Sequence, residues 1–359
     1  MEQTLHDLQR EAGATFTQIG DHHVPEEFGN EAIARDAVQS GVAVCDRSHW
    51  GRIEVGDADR IRFLHNQSTN DFQSLKPGQG CETVFVTSTA RTIDLVNAYM
   101  LADRVLLLTS PNCGDRLMQW MDRYIFFADK VTLTDVTKTT VTFSLMGPES
   151  DRLLAELGLD AIVGQPRYSH QTLCLDEHSV MVAVGSGLAT PGYTLVAEQQ
   201  AAPVLWSRLT QAGTVPLGNA LWEELRVIQG RPTPGQELTE DYNPLEAGLW
   251  HAISFEKGCY IGQETIARLD TYKGVKQQLF GIRLSEAAAP GTPVLFEDSK
   301  IGTLTSMVTT AAGPVGLAYI RTKAGGAGLT VQVGDTTGEV VEVPFLTRER
   351  RSPEGQPSS

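Results

Sequence analysis

The apolar residues of this chain change their pattern at about Gln278, and that change limits the folds available to it. Beyond this point the chain consists of short apolar runs separated by Gly, Pro and Asp, such as KIGTLTSMV, VGLAYI and GEVVEVP. Runs of this length and spacing are typical of an all-β domain. We therefore expect a C-terminal β-barrel domain over residues 276–348. The polar segment 349–359 is expected to form a disordered tail.

The chain before this point mixes strand-like and helix-like patterns. GRIEVGD, VFVTS and TVTFSLMGP are short apolar runs bounded by turn residues, whereas DADRIRFLHNQST has a helical period that places Ile61, Leu64 and His65 on one face. The two patterns do not alternate regularly, which favours an α+β fold over a doubly wound sheet. With 359 residues, the chain also exceeds the size that one hydrophobic core usually serves. Residues 1–270 are therefore expected to form a region separate from the barrel.

Charge and apolar content exclude several classes of partner. The formal net charge of −15 argues against non-specific binding to nucleic acid or to an anionic membrane, since both need a basic surface. The longest apolar runs are far too short to cross a bilayer, and the N-terminal MEQTLHDLQREAGATF has no apolar targeting core. We expect a protein of the cytoplasm, or of a stroma or matrix if a leader has been removed.

The cysteines are scattered and odd in number. None forms a CxxC pair or a Cys/His pair at the spacing of metal ligands, so no built-in metal site is expected. Such scatter also fits a reducing compartment. The five positions are Cys45, Cys81, Cys113, Cys174 and Cys259.

Cys259 has unusual neighbours, in the segment SFEKGCYIGQETI at 254–266. If a helix begins at or soon after Gly262, the cysteine lies just before its positive end, where Lys257 and the amide dipoles favour a thiolate. Alternatively the glycines form a turn, Glu264 complements the helix dipole, and the cysteine merely packs. The residues alone leave both readings open.

Arg226 lies inside the apolar helical segment LRVIQG, where burial of a cation is costly without a partner. One alternative is a structural ion pair with a nearby acid: Glu223, Glu224 or Glu246. The other is an arginine fork that binds the carboxylates of a ligand's tail. Both stay open at this point.

The segment SFEKGCYIGQETIARL resembles the K-G-C-Y-x-G-Q-E signature of the YgfZ-type folate-binding proteins, which include mitochondrial iron–sulfur assembly factors. From about Ala34 to Pro344 the chain is similar to the wider superfamily typified by the T-protein, the aminomethyltransferase of glycine cleavage. GVAVCDRSHWGRIEVGDADRIRFLHNQSTND, SLMGPES, LRVIQGRP and NPLEAGL carry this similarity. The resemblance implies a three-lobed fold around a central folate pocket, with two interleaved α+β lobes in 1–270 and the barrel as the third lobe.

The resemblance also assigns roles to residues. Cys259 is implied to be the functional thiol, with Lys257 favouring its thiolate form. Asp94 matches the acid that assists one-carbon transfer in the aminomethyltransferase. The positions expected to order or bind tetrahydrofolate, or a one-carbon derivative of it, are Arg226, Tyr260, Gly262, Gln263 and Glu264.

Two departures from the aminomethyltransferase pattern affect the expected activity. In TIDLVNAY, Asp94 is followed by Leu95 instead of a second acid, and GSGLATPGY has Thr190 or a neighbour where a pterin-binding carboxylate is expected. The resemblance therefore favours a tetrahydrofolate-binding protein that assists iron–sulfur cluster assembly or repair, together with assembly machinery or client enzymes, and affects tRNA modification indirectly. The alternatives are a folate-dependent aminomethyltransferase and a folate-binding scaffold with an inert Cys259. Whether the chain is itself an enzyme stays open.

Overall fold

The structure is a computed structural model that describes residues 3–350. None of the helices in this range is long and apolar enough to cross a membrane. The α-helices are α1 (Leu5–Glu11), α2 (Glu31–Ser40), α3 (Arg60–Gln67), α4 (Gly114–Asp122), α5 (Ser150–Glu156), α6 (Ala202–Gln211), α7 (Asn219–Gln229) and α8 (Gln263–Thr271).

The strands belong to four sheets, one of which is a closed barrel. They are β1 (Thr15–Ile19), β2 (His22–Glu27), β3 (Ala43–Asp46), β4 (Trp50–Gly56), β5 (Gly80–Val86), β6 (Thr92–Met100), β7 (Arg104–Pro111), β8 (Thr132–Asp135), β9 (Thr140–Met146), β10 (His170–Leu175), β11 (His178–Val184), β12 (Gly192–Glu198), β13 (Val215–Leu217), β14 (Gln277–Leu284), β15 (Pro293–Phe296), β16 (Ser299–Thr310), β17 (Gly313–Arg321), β18 (Thr330–Val333) and β19 (Thr336–Val341).

The chain divides into two compact units. The first contains the residues up to Ile61, Ser74–Cys81 and Val96–Trp222, and the second contains Arg62–Gln73, Glu82–Leu95 and the residues from Glu223 onward. Both units are therefore discontinuous in sequence. The predicted boundaries at 270 and 276 stay a prediction, and the predicted tail lies outside the described residues except for Glu349 and Arg350.

The first unit is built around a six-stranded sheet with the order β10-β11-β12-β9-β3-β13, in which only the β3–β13 pair is parallel. Val141, Phe143 and Leu145 occupy alternate positions of β9, so they share one face of the sheet. They lie in the same apolar core as Trp206 of α6, whose ring centroid is 5.7 Å from that of Phe143. A second sheet has the order β5-β6-β7-β4-β8.

The second unit contains the barrel, whose strands follow the order β14-β17-β16-β15-β18-β19 and close by pairing β19 with β14. Its interior is filled by aliphatic side chains such as Ile282, Leu304 and Val331. The change of pattern at about Gln278 thus marks the true start of an all-β region. The predicted α+β fold with a C-terminal barrel is confirmed.

Candidate functional site

The cysteine predicted to be functional lies on a loop that joins a short 3₁₀ turn (Trp250–Ala252) to α8. We call residues 254–262 the thiol loop. Gly262 ends the loop as the N-cap of α8 and has a φ of +81°, which disfavours any residue with a side chain. A Cβ at this position would also lie 2.9 Å from the backbone oxygen of Thr87. The predicted helix start is confirmed. Both the positive φ and the close approach of Thr87 require a glycine at this position.

Lys257 is buried, and its ammonium group is held by backbone oxygens. Nζ donates to the carbonyl of Ser68 at 2.8 Å, to that of Asn70 at 2.7 Å, and to that of His65. It also lies 4.6 Å from the ring centroid of Tyr260. Because an ammonium group has three hydrogens, these three acceptors match its donor capacity. Lys257 fastens the thiol loop to residues 65–71, which we call the His65 segment.

Other hydrogen bonds reinforce this attachment. The amide of Ser254 donates to the carbonyl of Thr69 at 3.0 Å, and the amide of Ile261 donates to the carbonyl of Asn66 at 3.0 Å. The hydroxyl of Thr69 donates to the carbonyl of Ala252 at 2.7 Å. The thiol loop is therefore held at its beginning, its middle and its end.

Cys259 itself is exposed, as is Gly258 before it, whereas Lys257 and Tyr260 are buried. Tyr260 packs in an apolar cluster with Ala90, Leu245 and Ile266, and burial raises the pKa of its hydroxyl. Its side chain is thus committed to holding the loop. Besides the thiol, the polar side chains of Glu256, which is exposed in the loop, of Gln263, which is half-buried, and of Glu264, which is exposed in the first turn of α8, stay accessible here.

His65 and Asp71 are members of this site that the sequence did not identify as functional. His65 is only 5% exposed, and its Nδ1 lies 3.1 Å from Oδ1 of Asp71. Burial lowers the pKa of its imidazole, the charge of Lys257 lowers it further, and Asp71 opposes both effects. Nε2 lies 3.8 Å from the position that a Cβ would take on Gly258. The sequence offered one signal, a histidine on the apolar face of a predicted helix.

Arg226 forms a separate buried cluster in the same unit. Its Nε donates to both carboxylate oxygens of Glu223 at 2.9 Å, Nη1 donates to Oε2 of Glu237 at 3.0 Å, and Nη2 donates to the hydroxyl of Ser306 at 2.9 Å. Nη2 also donates to the side-chain oxygen of Gln236. Although burial lowers the pKa of the guanidinium, the two carboxylates raise it overall.

Glu237 is the anion at the centre of this cluster and is fully buried. Its carboxylate also accepts hydrogen bonds from the hydroxyl of Thr305 at 2.7 Å and from the amide of Thr233 at 3.2 Å. Of the two alternatives for Arg226, the ion pair with Glu223 is present, but the main partner, Glu237, was not among the acids considered. Because chain acceptors occupy the guanidinium, its burial needs no ligand. Binding of a folate tail by Arg226 stays a prediction.

Asp94 lies in β6 and is fully buried, as is Leu95 after it. In the segment where a pterin-binding carboxylate was expected, the hydroxyl of Ser186 donates to the backbone oxygen of Thr190 at 2.7 Å. The second unit thus contains all the residues predicted to be functional, and it brings Lys257 and Cys259 together with His65 and Asp71. Arg226 and Asp94 belong to other parts of that unit's chain.

Comparisons with known proteins agree on one family. Residues 5–257 match the GCVT N-terminal domain. The putative chloroplastic transferase At1g60990 of Arabidopsis thaliana is 44% identical over 347 residues, which cover 96% of this chain and 80% of that protein. The aminomethyltransferase of Halalkalibacterium halodurans is 29% identical over 363 residues, which cover 96% of this chain and 97% of that protein.

The fold has a counterpart among solved structures. The glycine cleavage system aminomethyltransferase T from Bartonella henselae superposes with a TM-score of 0.85 at 20% identity, covering 96% of this chain and 98% of that one. A closed C-terminal barrel of six strands accompanies the α+β body here. The chain belongs to the GCVT N-terminal domain family and has the aminomethyltransferase fold.

Proposed function

We propose that this chain binds tetrahydrofolate, or a one-carbon derivative of it, and uses the thiol of Cys259 to assist the assembly or repair of iron–sulfur clusters. Its partners in this role are the cluster assembly machinery or client cluster enzymes. Effects on tRNA modification follow indirectly, because the clients include enzymes that thiolate tRNA. The K-G-C-Y-x-G-Q-E resemblance supports this choice within the family.

One observation carries the proposal: an exposed thiol is held on a loop anchored by a buried cation. Transfer of an ammonium group out of water is costly, and here three carbonyl oxygens offset that cost. A glycine turn that only reverses the chain direction needs no such anchor. The local structure around Lys257 therefore supports a loop whose task is to present Cys259.

The residues present fit a folate in part. Gln263 and Glu264 offer accessible polar groups, whereas Tyr260 and Gly262 order the thiol loop. Bound tetrahydrofolate supplies a carrier for one-carbon units. This chain's contribution is to bind and orient that carrier.

The second candidate function is folate-dependent aminomethyl transfer with Asp94 as the assisting acid. Two observations favour it: the complete burial of Asp94, and the relatives that are named as aminomethyltransferases or as a putative transferase. Loss of this carboxylate abolishes a transferase and has little effect on an assembly factor. Asp94 therefore separates the two functions.

Deletion in the native host followed by complementation tests the proposal. Iron–sulfur enzyme activities and glycine-cleavage flux are measured in strains that carry wild type, Cys259→Ala, Asp94→Asn or Cys174→Ala, the last being a control at the other exposed cysteine. We expect all but Cys259→Ala to restore the cluster enzymes. Full restoration by Cys259→Ala contradicts the role of the thiol. Glycine-cleavage flux that depends on Asp94 favours the second candidate.

A further inference from the structure

The imidazole of His65 faces the backbone of the thiol loop immediately before Cys259. The side chain of His65 is only 5% exposed, and no hydrogen bond joins its Nε2 to another residue between 3 and 350. It is directed at Gly258, and the missing side chain there leaves nothing between the ring and the loop backbone. Nε2 therefore lies next to the backbone of the residue that precedes the exposed Cys259, and it is available for proton exchange.

The other ring nitrogen lies in ion-pair contact with a carboxylate. Nδ1 lies 3.1 Å from Oδ1 of Asp71, whose same oxygen accepts a hydrogen bond from the amide of Gln73 at 2.9 Å and is thereby fixed. A carboxylate on one nitrogen orients the ring and stabilises the positive charge that appears when the other nitrogen accepts a proton. The charged groups that act on His65 are Lys257 and Asp71.

The expected activator of the thiol, Lys257, is in a poor position for that role. Its three hydrogens are directed at the carbonyls of His65, Ser68 and Asn70. It raises the positive potential around the loop, and it keeps His65 in the neutral form that accepts protons. These observations give the lysine a structural role and leave the imidazole as the base.

We propose that His65, oriented by Asp71, accepts the proton of the Cys259 thiol, directly or through one water molecule. This proposal rests on the proposed function, in which Cys259 is the working thiol, and it adds the base. The S–H bond breaks, the proton moves to Nε2, and the electron pair stays on sulfur, which becomes a thiolate. The imidazolium then returns its proton to solvent. A thiol, an imidazole and a carboxylate in these roles are the usual components of an activated cysteine nucleophile.

Alkylation by iodoacetamide tests the proposal on the full-length chain. Sulfur forms a bond to carbon as iodide leaves, and mass spectrometry of the peptides gives separate rates for Cys259 and for the exposed Cys174, an internal reference. A thiol of ordinary acidity is only about 3% thiolate at pH 7. We expect Cys259 to react about tenfold faster than Cys174 at that pH. The advantage should disappear as the pH falls through the lowered pKa of His65.

Three variants decide the outcome. His65→Gln should reduce the rate ratio about tenfold, whereas His170→Gln, at a buried histidine of the first unit, should leave it unchanged. Gly258→Ala adds a methyl group at an ordinary contact distance from Nε2, so it should slow alkylation of Cys259 without unfolding the chain. An unchanged ratio in His65→Gln overturns the proposal. If circular dichroism shows that this variant is unfolded, an unchanged ratio in Gly258→Ala overturns it instead.

The reagent needs neither folate nor a cluster enzyme. Alkylation that depends on His65 in a chain whose Cys259→Ala variant fully restores the cluster enzymes would therefore refute the proposed function and leave the base assignment intact. If alkylation does not depend on His65 but the host needs Cys259, the base assignment is refuted and the proposed function is left intact.

Discussion

Removal of the Arg226 guanidinium should destabilise the barrel strands that contact its cluster. In Arg226→Met, the fully buried Glu237 loses its cation but keeps hydrogen bonds from Thr305 and the amide of Thr233. Breaking a buried ion pair by removing one partner typically costs 3–5 kcal/mol. Because these donors remain, we expect a loss of about 3 kcal/mol, at the lower end of that range.

Hydrogen exchange gives the local measurement. A loss of this size corresponds to roughly a hundredfold increase in the opening equilibrium constant. Peptides that cover β16 and β17 should therefore exchange much faster in Arg226→Met, since Ser306 and Thr305 lie on β16 and the hydroxyl of Tyr319 on β17 donates to the backbone oxygen of Glu237 at 2.8 Å. The peptides of β10 and β11, in the first unit, serve as the internal reference.

Two further variants sharpen the test. Arg226→Met combined with Glu237→Gln removes both charges, so much of the lost stability should return. Arg152→Ala is a matched control, because this exposed arginine also pairs with two glutamates, Glu149 and Glu156, and should have little effect. Unchanged exchange of β16 in Arg226→Met, or a double variant less stable than the single one, would refute the reasoning.

Two other outcomes are expected. Gly262→Ala forces a left-handed φ on alanine and places its Cβ 2.9 Å from the oxygen of Thr87, so it should lower the stability of the second unit by about 1–3 kcal/mol in urea unfolding; an unchanged midpoint would contradict this. Burial lowers the pKa of His49 to about 3. Because the unfolded chain takes up this proton more readily, stability should fall below about pH 6.5 by up to about 1.4 kcal/mol per pH unit, and His49→Gln should reduce that slope in acid titrations.

Local patterns predicted much of the fold, because they depend on neighbours in sequence. Short apolar runs between turn residues identified the barrel, and Gly262 followed by a helical period identified the start of α8. The positive φ at Gly262 and its approach to Thr87 agree with that local signal. The fold class could be predicted without knowing which segments contact one another.

The site was harder to predict, because its contacts join distant segments. The carbonyl of His65 that binds Lys257 is 192 residues away in sequence. Because every residue has a backbone carbonyl, such an acceptor cannot be recognised from the amino-acid sequence. Glu237 lies in the polar run TPGQELTED, which reads as a solvated loop until the barrel strands cover it. Arg226 showed that a partner was needed but not which acid would supply it.

The long separation between Lys257 and the His65 segment has a consequence for how the chain folds. When the His65 segment leaves the ribosome, the residue that will hold it has still to be made, 192 positions later. The intervening chain includes Val96–Trp222, most of the first unit, which is complete before Lys257 is synthesised. Contacts of such high sequence separation form late, because loop closure must precede them. The thiol loop therefore acquires its contacts with the His65 segment only late in folding.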